Sequence, residues 1–125
     1  MPAKFLIVED HDAVRTALRA WLEVEFPESY VAEATSGEEA VVKIRSVSPH
    51  LVVMDFKLPG MNGFEATRQI NATLPSVQIV MFSIREGDVY RASAISVGAC
   101  AYVPKRTFQT ELLPTIIALL DKSQD

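Results

Sequence analysis

Cysteine is almost absent from this sequence, which has only Cys100 among its 125 residues. A single cysteine excludes an internal disulfide and is typical of a reducing compartment, so we expect a cytoplasmic protein. No apolar run approaches the ~20 residues of a membrane-spanning helix. The first ten residues, MPAKFLIVED, lack the apolar stretch and the small-residue cleavage site of a signal peptide. The sequence therefore predicts no membrane partner.

Positive charge is outnumbered, because 12 Lys and Arg residues stand against 16 Asp and Glu residues, for a net charge of −4. This balance disfavours direct binding to the phosphates of nucleic acid. The sequence also has no repeats and no low-complexity segment. A chain of this length and hydropathy can build one core, so we expect one domain over residues 1–122. Residues 123–125 form a polar tail or the start of a linker.

Short β-prone apolar runs recur along the chain and alternate with helical patterns. The runs occupy residues 5–8, 30–32, 51–54, 77–82 and 101–103. Near-continuous apolar strands are typical of parallel sheets that are covered on both faces. The alternation predicts an α/β fold of five βα units, (βα)5, with a doubly wound parallel sheet. The strand order 2-1-3-4-5 is the one found in flavodoxin-like folds of this kind.

Capping signals place the helices between these strands. Ser36 and Glu39 form an S-x-x-E capping box, and Gly98 is suited to end the fourth helix. The last helix is predicted over residues 110–120 and contains Pro114. If Thr110 is its N-cap, the proline lies in the first turn, where its missing N–H is tolerated; an earlier start predicts a kink.

Charged and polar side chains follow four of the five strands. The first strand ends in Glu9 and Asp10, the third in Asp55, the fourth near Ser83 and the fifth near Lys105. In such sheets the functional crevice lies at the carboxyl ends of the strands. We therefore expect three carboxylates, one hydroxyl and one ammonium at the same rim.

The three carboxylates of this rim predict a metal site. They repel one another and remain ionised together only with a cation among them. All-oxygen ligands favour a hard cation, most simply Mg²⁺, which can also bind a phosphate oxygen. Lys105 and Ser83 can hold further phosphoryl oxygens. Asp55 is then suited to be a nucleophile, because carboxylates form aspartyl-phosphate intermediates.

Four segments together resemble the receiver domain of bacterial two-component response regulators. They are VED at 8–10, MDFKLPGMNG at 54–63, FS at 82–83 and AYVPK at 101–105. The similarity covers about residues 4–120, and the joint order of the motifs carries it. It implies a signalling switch rather than a turnover enzyme, phosphorylated by a histidine kinase or a phosphotransfer protein.

The resemblance also implies a role for each residue of the rim. Asp55 is the phosphoacceptor, and Lys105 binds the phosphoryl group. Asp10 ligates Mg²⁺ directly, as does Asp55, while Glu9 acts through a water molecule. Lys57 contributes its backbone carbonyl to the metal.

The resemblance implies a switch formed by Ser83 and Tyr102, in which the hydroxyl moves toward the phosphoryl group and the ring turns inward behind it. The signal then leaves through the fourth helix, fifth strand and fifth helix. Tyr90, Arg91 and Phe108 are predicted to line this face. Homodimerisation is one expected readout.

Three positions depart from the common receiver pattern. Glu9 stands where aspartate is usual, Arg106 where many receivers have proline, and Ile84 where alanine or glycine is common. Arg106, together with His11 in VEDH, is similar to the subfamily joined to LuxR-type helix-turn-helix domains. That similarity implies a C-terminal DNA-binding output domain outside this sequence.

Slow loss of the phosphoryl group is a further prediction. Lys57 and Arg85 should flank the approach of water, and Ile84 adds bulk beside them. Neither cation can act as a general base at neutral pH. All three are therefore expected to control dephosphorylation.

Three other functions fit parts of the pattern. In a pseudo-receiver, Asp55 and Lys105 form only a structural ion pair. An aspartyl-nucleophile phosphatase usually has a second aspartate two residues after the nucleophile, where this sequence has Lys57. A flavin-binding module needs a phosphate-cradling loop after the first strand, but EDHDAV is acidic and has no glycine.

Overall fold

Five parallel strands form one sheet in the order β2-β1-β3-β4-β5 in the computed structural model, which describes residues 2–85 and 87–124. The strands are β1 Lys4–Val8, β2 Tyr30–Ala34, β3 Leu51–Met54, β4 Gln78–Ser83 and β5 Ala101–Pro104. The helices are α1 Asp12–Glu25, α2 Gly37–Val47, α3 Gly63–Thr73, α4 Asp88–Ser96 and α5 Phe108–Gln124, with a 3₁₀ turn over Lys105–Thr107. The predicted fold class and strand order are confirmed.

The sheet is covered on both faces, which explains why its strands are almost continuously apolar. On β1, Phe5 and Ile7 face the core beneath α1 and α5, whereas Leu6 and Val8 face the core beneath α2, α3 and α4. All four are buried. Successive residues of a strand point to opposite faces, so a two-sided core requires apolar residues at every position.

The register of the sheet brings the ends of β1 and β3 together. Val8 lies beside Met54, the last residue of β3. The next residues are held by backbone bonds across the same edge, because the Asp55 N–H donates to the Val8 carbonyl at 3.0 Å. Glu9 donates its N–H to the Ala34 carbonyl of β2 at 3.1 Å. The residues that follow β1 and β3 therefore meet at one rim.

The capping signals in the sequence are present, with one change in partner. The Ser36 hydroxyl accepts a hydrogen bond from the Glu39 N–H at 3.0 Å, as a capping box requires. The Glu39 carboxylate accepts from the N–H of Thr35, one residue before the expected partner. Gly98 follows the α4 cap with φ +112°, a conformation that favours glycine.

The last helix begins earlier than the cap at Thr110 would require. The 3₁₀ turn after β5 runs directly into α5, which starts at Phe108 and continues to Gln124. Pro114 therefore lies in the second turn, and the Thr110 carbonyl receives no hydrogen bond from residue 114. The expected start at Thr110 is wrong, and the kink predicted for an earlier start stays a prediction.

In the part of the chain that the structure describes, none of the helices has the length and apolar character needed to cross a membrane.

Candidate functional site

Three carboxylates converge where β1 and β3 end. Glu9, Asp10 and Asp55 each place one oxygen within 4.8 Å of the others. Glu9 and Asp55 are buried, at 2% and 7% exposure, while Asp10 is exposed. The sequence prediction that these three residues share a rim therefore agrees with their positions in the structure.

Lys105, which follows the edge strand β5, completes the cluster. Its Nζ lies 2.7 Å from Glu9 Oε1 and 3.4 Å from Asp55 Oδ1. The ammonium also lies 5.5 Å from the centre of the Phe82 ring. Lys105 thus sits closer to Glu9 than to Asp55. The nearer partner, Glu9, is one of the three positions that depart from the common receiver pattern.

The pKa of Asp55 is raised from 3.8 to about 6. Burial is the largest cause, since it disfavours the charged carboxylate, and the negative charge of Glu9 adds to it. The ammonium of Lys105 opposes both effects. Ionising Asp55 in the folded protein therefore costs free energy that a further cation would offset.

The cluster fits Mg²⁺ by charge and by ligand chemistry. Three carboxylates and one ammonium leave a formal charge of −2, which one divalent cation neutralises. The side-chain ligands are all oxygens, as Mg²⁺ prefers. Lys57 follows two residues after Asp55 with an exposed side chain. Its carbonyl stays a predicted ligand.

Gly63 holds the loop after β3 against the back of Asp55. Its N–H donates to the Phe56 carbonyl at 2.8 Å. A Cβ at this position would overlap the Asp55 carbonyl oxygen. The loop then enters α3 through Asn62, whose Oδ1 accepts from the Glu65 N–H at 3.0 Å. The sequence LPGMNG therefore fixes the backbone that carries Asp55.

Ser83 ends β4 and is buried at 1% exposure. Its Oγ accepts a hydrogen bond from the Arg85 N–H at 3.1 Å. Because the oxygen accepts that bond, the hydroxyl proton is available to donate elsewhere. Ile84, the next residue, is 71% exposed and so leaves the buried part of the site.

Tyr102 lies inward in this structure, at 2% exposure. Its hydroxyl donates to the Arg85 carbonyl at 2.6 Å. Arg91 of α4 covers the other side, with its guanidinium 5.9 Å from the Tyr102 ring centre and a 3.1 Å hydrogen bond to the Tyr102 carbonyl. The loop after β4, α4 and β5 are therefore joined at one tyrosine.

The sequence model of a protein family, the response regulator receiver domain, matches residues 5–117. The chain belongs to this family.

Curated relatives agree with the assignment of this receiver domain. The response regulator GacA of Pseudomonas protegens is 34% identical over 113 residues, covering 90% of this chain and 53% of GacA. The response regulator protein VraR of Staphylococcus saprophyticus is 34% identical over 118 residues, covering 93% of this chain and 56% of VraR. The receiver domain thus spans about half the length of these relatives.

Solved structures agree as well. A LuxR-family two-component response regulator from Aurantimonas has a TM-score of 0.91 and 36% identity, covering 98% of this chain and 87% of that one. A CheY-like receiver domain protein from Methanospirillum hungatei has a TM-score of 0.90 and 27% identity, covering 99% and 98%. The receiver fold and the resemblance to response regulators are both confirmed.

Two details of the receiver domain differ from the sequence analysis or were missed by it. Phe108, which was predicted to line the face of α4, β5 and α5, is the first residue of α5 and packs its ring 5.7 Å from Trp21 of α1 and 6.2 Å from Phe82. The contact between Arg91 and Tyr102 was also missed. Its signal is weak, since the two residues are eleven positions apart on different elements.

Proposed function

We propose that this receiver domain is a signalling switch that accepts a phosphoryl group on Asp55. The observation that carries the proposal is the buried Asp55 carboxylate, in contact with Lys105 and within 4.8 Å of two further carboxylates. The Asp55 oxygen attacks phosphorus, the bond from phosphorus to the donor nitrogen breaks, and an acyl phosphate forms. The nitrogen of the donor imidazole leaves with the bonding electron pair.

The surrounding residues have separate roles in this reaction. Asp10, Asp55 and the Lys57 carbonyl would hold Mg²⁺, with Glu9 acting through water. The bound cation would supply charge neutralisation for phosphoryl transfer. Lys105 holds one phosphoryl oxygen and the Ser83 hydroxyl donates to another.

A pseudo-receiver is the second candidate, favoured by one observation. Lys105 already pairs with Glu9 at 2.7 Å and so forms an ion pair without any phosphoryl group. An aspartyl-nucleophile phosphatase is less well supported, because Lys57 occupies the position of its second acid. Stoichiometric phosphorylation distinguishes the proposal from both, since a pseudo-receiver takes no phosphoryl group and a phosphatase turns over.

We assign this domain to residues 1–122 of a cytoplasmic response regulator. Its donor is a histidine kinase or a phosphotransfer protein. A DNA-binding output domain beyond this chain is supported by the LuxR-family neighbour and by the half-length match to GacA and VraR. Homodimerisation through the phosphorylated domain is one route to that output.

The signal should pass from Ser83 through the Arg85 backbone to Tyr102 and Arg91. These four residues form a continuous set of contacts from the phosphoryl site to α4. Beryllofluoride with Mg²⁺, a phosphoryl mimic, should therefore shift amide resonances of the loop after β4, of α4 and of β5 in NMR spectra. Asp55→Asn is the control without a carboxylate. Shifts confined to α1 and α2 would contradict this route.

The phosphorylated state should decay slowly, because Lys57 and Arg85 restrict the approach of water. The Arg85 guanidinium lies 5.7 Å from the Phe56 ring and 5.8 Å from the Tyr90 ring. These contacts hold it beside the loop after β3. The Lys57→Asn/Arg85→Glu variant should lose its phosphoryl group about tenfold faster, which is ~1.4 kcal/mol in barrier.

The lifetime is measured as the fraction of phosphorylated intact protein over time. Arg45→Glu, an exposed charge reversal on α2, is the matched control. Ile84→Ala tests the contribution of the exposed side chain. A double variant that keeps its phosphoryl group as long as the wild type would refute the occlusion argument.

A further inference from the structure

Arg15 of α1 makes three contacts around the turn that joins β1 to α1. Its Nη1 donates to the Glu9 carbonyl at 3.0 Å, and its Nε donates to Glu33 Oε1 at 2.9 Å. Its Nη2 donates to Asp12 Oδ1 at 2.6 Å. The Arg15 side chain is only 14% exposed, although it carries a full charge. Arg15 therefore stabilises the acidic turn of residues 9–12 and is not simply a solvent-exposed surface charge.

The backbone of Glu9 is held from both sides. Its N–H donates to the Ala34 carbonyl at 3.1 Å, and its carbonyl accepts from Arg15. Its carboxylate accepts from the His11 N–H at 3.2 Å through Oε2. The peptide between Glu9 and Asp10 cannot rotate without loss of the bond from Arg15. Asp10 is exposed, so this peptide rather than packing sets the direction in which its side chain leaves the backbone.

Glu33 of β2 anchors the arginine from behind. Its carboxylate accepts hydrogen bonds from both Arg15 and Arg19, and its carbonyl accepts from Lys43 Nζ at 2.7 Å. Arg19 also lies 3.5 Å from Glu23. Arg19 has the same charge as Arg15 and the same partner, Glu33, but the structure shows no hydrogen bond from Arg19 to Glu9. Arg19 is therefore a matched control for the charge of Arg15.

We infer that Arg15 is a positioning residue for Asp10, a ligand of Mg²⁺, and for Glu9, which acts on it through water, and that it acts by fixing the Glu9 carbonyl. This inference rests on the proposed function, in which both carboxylates act on Mg²⁺. Arg15 touches neither the cation nor the phosphoryl group. Its effect on the site is carried by the turn of residues 9–12.

The charge of Arg15 and its positioning role predict opposite changes in Mg²⁺ affinity when Arg15 is neutralised. A cation beside a cation site repels Mg²⁺, so electrostatics alone predicts that neutralising Arg15 strengthens Mg²⁺ binding. Loss of a preorganised ligand turn predicts the opposite. Arg19→Gln measures the electrostatic part, because it removes the same charge and a bond to Glu33 without touching the Glu9 carbonyl.

The experiment compares wild type, Arg15→Gln, Arg15→Lys and Arg19→Gln as the 125-residue chain. Mg²⁺ dissociation constants come from amide shifts of residues 9–11 in NMR titrations. Hydrogen exchange of the same amides is followed without metal, together with the melting temperature. Arg15→Gln should weaken Mg²⁺ binding about tenfold, in the range expected for groups that orient metal ligands. Arg15→Lys should recover part of the loss, since an ammonium can reach the Glu9 carbonyl.

Arg19→Gln should leave the dissociation constant unchanged or lower it. Exchange at residues 9–11 should be faster in Arg15→Gln than in Arg19→Gln at matched temperature below melting. If the wild type binds Mg²⁺ and Arg15→Gln binds it equally well or more tightly, the inference about Arg15 is wrong and the proposed function is unaffected. Equal losses in all three variants would do the same. A wild-type chain that binds no Mg²⁺ would overturn the proposed function and the inference together.

Discussion

Replacement of Asp55 by asparagine should abolish covalent phosphorylation of this domain. Wild-type protein incubated with a small phosphodonor and Mg²⁺ should gain one phosphoryl group, and peptide mapping should place it on Asp55. The carboxamide of Asp55→Asn offers no anionic oxygen, so it cannot form the acyl phosphate. Labelling measured by intact mass should fall to background. Asp121→Asn, which changes an exposed carboxylate of α5, should label like wild type.

The other residues of the site should change the yield but not the position of the label. Glu9→Gln and Asp10→Asn each remove a negative charge from the metal site, so both should weaken Mg²⁺ binding and change the yield of labelling. Chelation of Mg²⁺ should suppress labelling in wild type. Lys105→Ala should keep metal binding and lose much of the response, because no other ammonium is described within reach of Asp55. Labelling of Asp55→Asn equal to wild type would refute the assignment.

The position of Asp55 could be predicted from the sequence because parallel strands end at a common edge. Once Leu51–Met54 is a strand, the next residue must leave the sheet at its carboxyl end. The same argument applies to Glu9 after β1. These positions depend on the alternation of strands and helices, which is encoded locally, and on a parallel topology, which came from known folds of this kind.

Side-chain partners were harder to predict because they depend on distances between elements. Glu9 takes the nearer contact with Lys105 although 96 positions separate them. Arg15 reaches the Glu9 carbonyl only because α1 packs over the end of β1. No local pattern distinguishes it from Arg19, four residues later on the same helix. The position of Phe108 was harder to predict because the sequence placed the start of the last helix at Thr110, whereas α5 begins at Phe108.

The phosphoacceptor should also destabilise the domain when no metal is bound. The pKa of Asp55 is about 6 in the folded protein against 3.8 as its ordinary value. As pH rises from 4 to 6, the unfolded chain releases the Asp55 proton before the folded one does. The folded state holds more protons in this window, so stability falls as pH rises. The loss is complete about one pH unit above the folded pKa and amounts to roughly 1–3 kcal/mol, since solvent around the site screens part of it.

Asp55→Asn should therefore be more stable than wild type at pH 7 without Mg²⁺, by roughly 1–3 kcal/mol. Lys105 keeps its 2.7 Å partner Glu9 in this variant, so the ammonium is not left unpaired. Urea unfolding at pH 7 and pH 4 measures both proteins, with Asp121→Asn as the control for an amide substitution. The difference between Asp55→Asn and wild type should shrink strongly at pH 4.

Mg²⁺ should narrow the stability difference that holds without metal. A ligand that binds only the folded state stabilises it in proportion to its affinity, and that affinity is higher when all three carboxylates are present. Wild type should therefore gain more than Asp55→Asn when Mg²⁺ is added at pH 7, as measured by the same urea transitions. If Asp55→Asn is less stable than wild type without metal, or if the difference is the same at pH 4 and pH 7, burial of the Asp55 charge does not strain this site. The function would then rest on a carboxylate whose ionisation carries no penalty, and Mg²⁺ would have no strain to relieve.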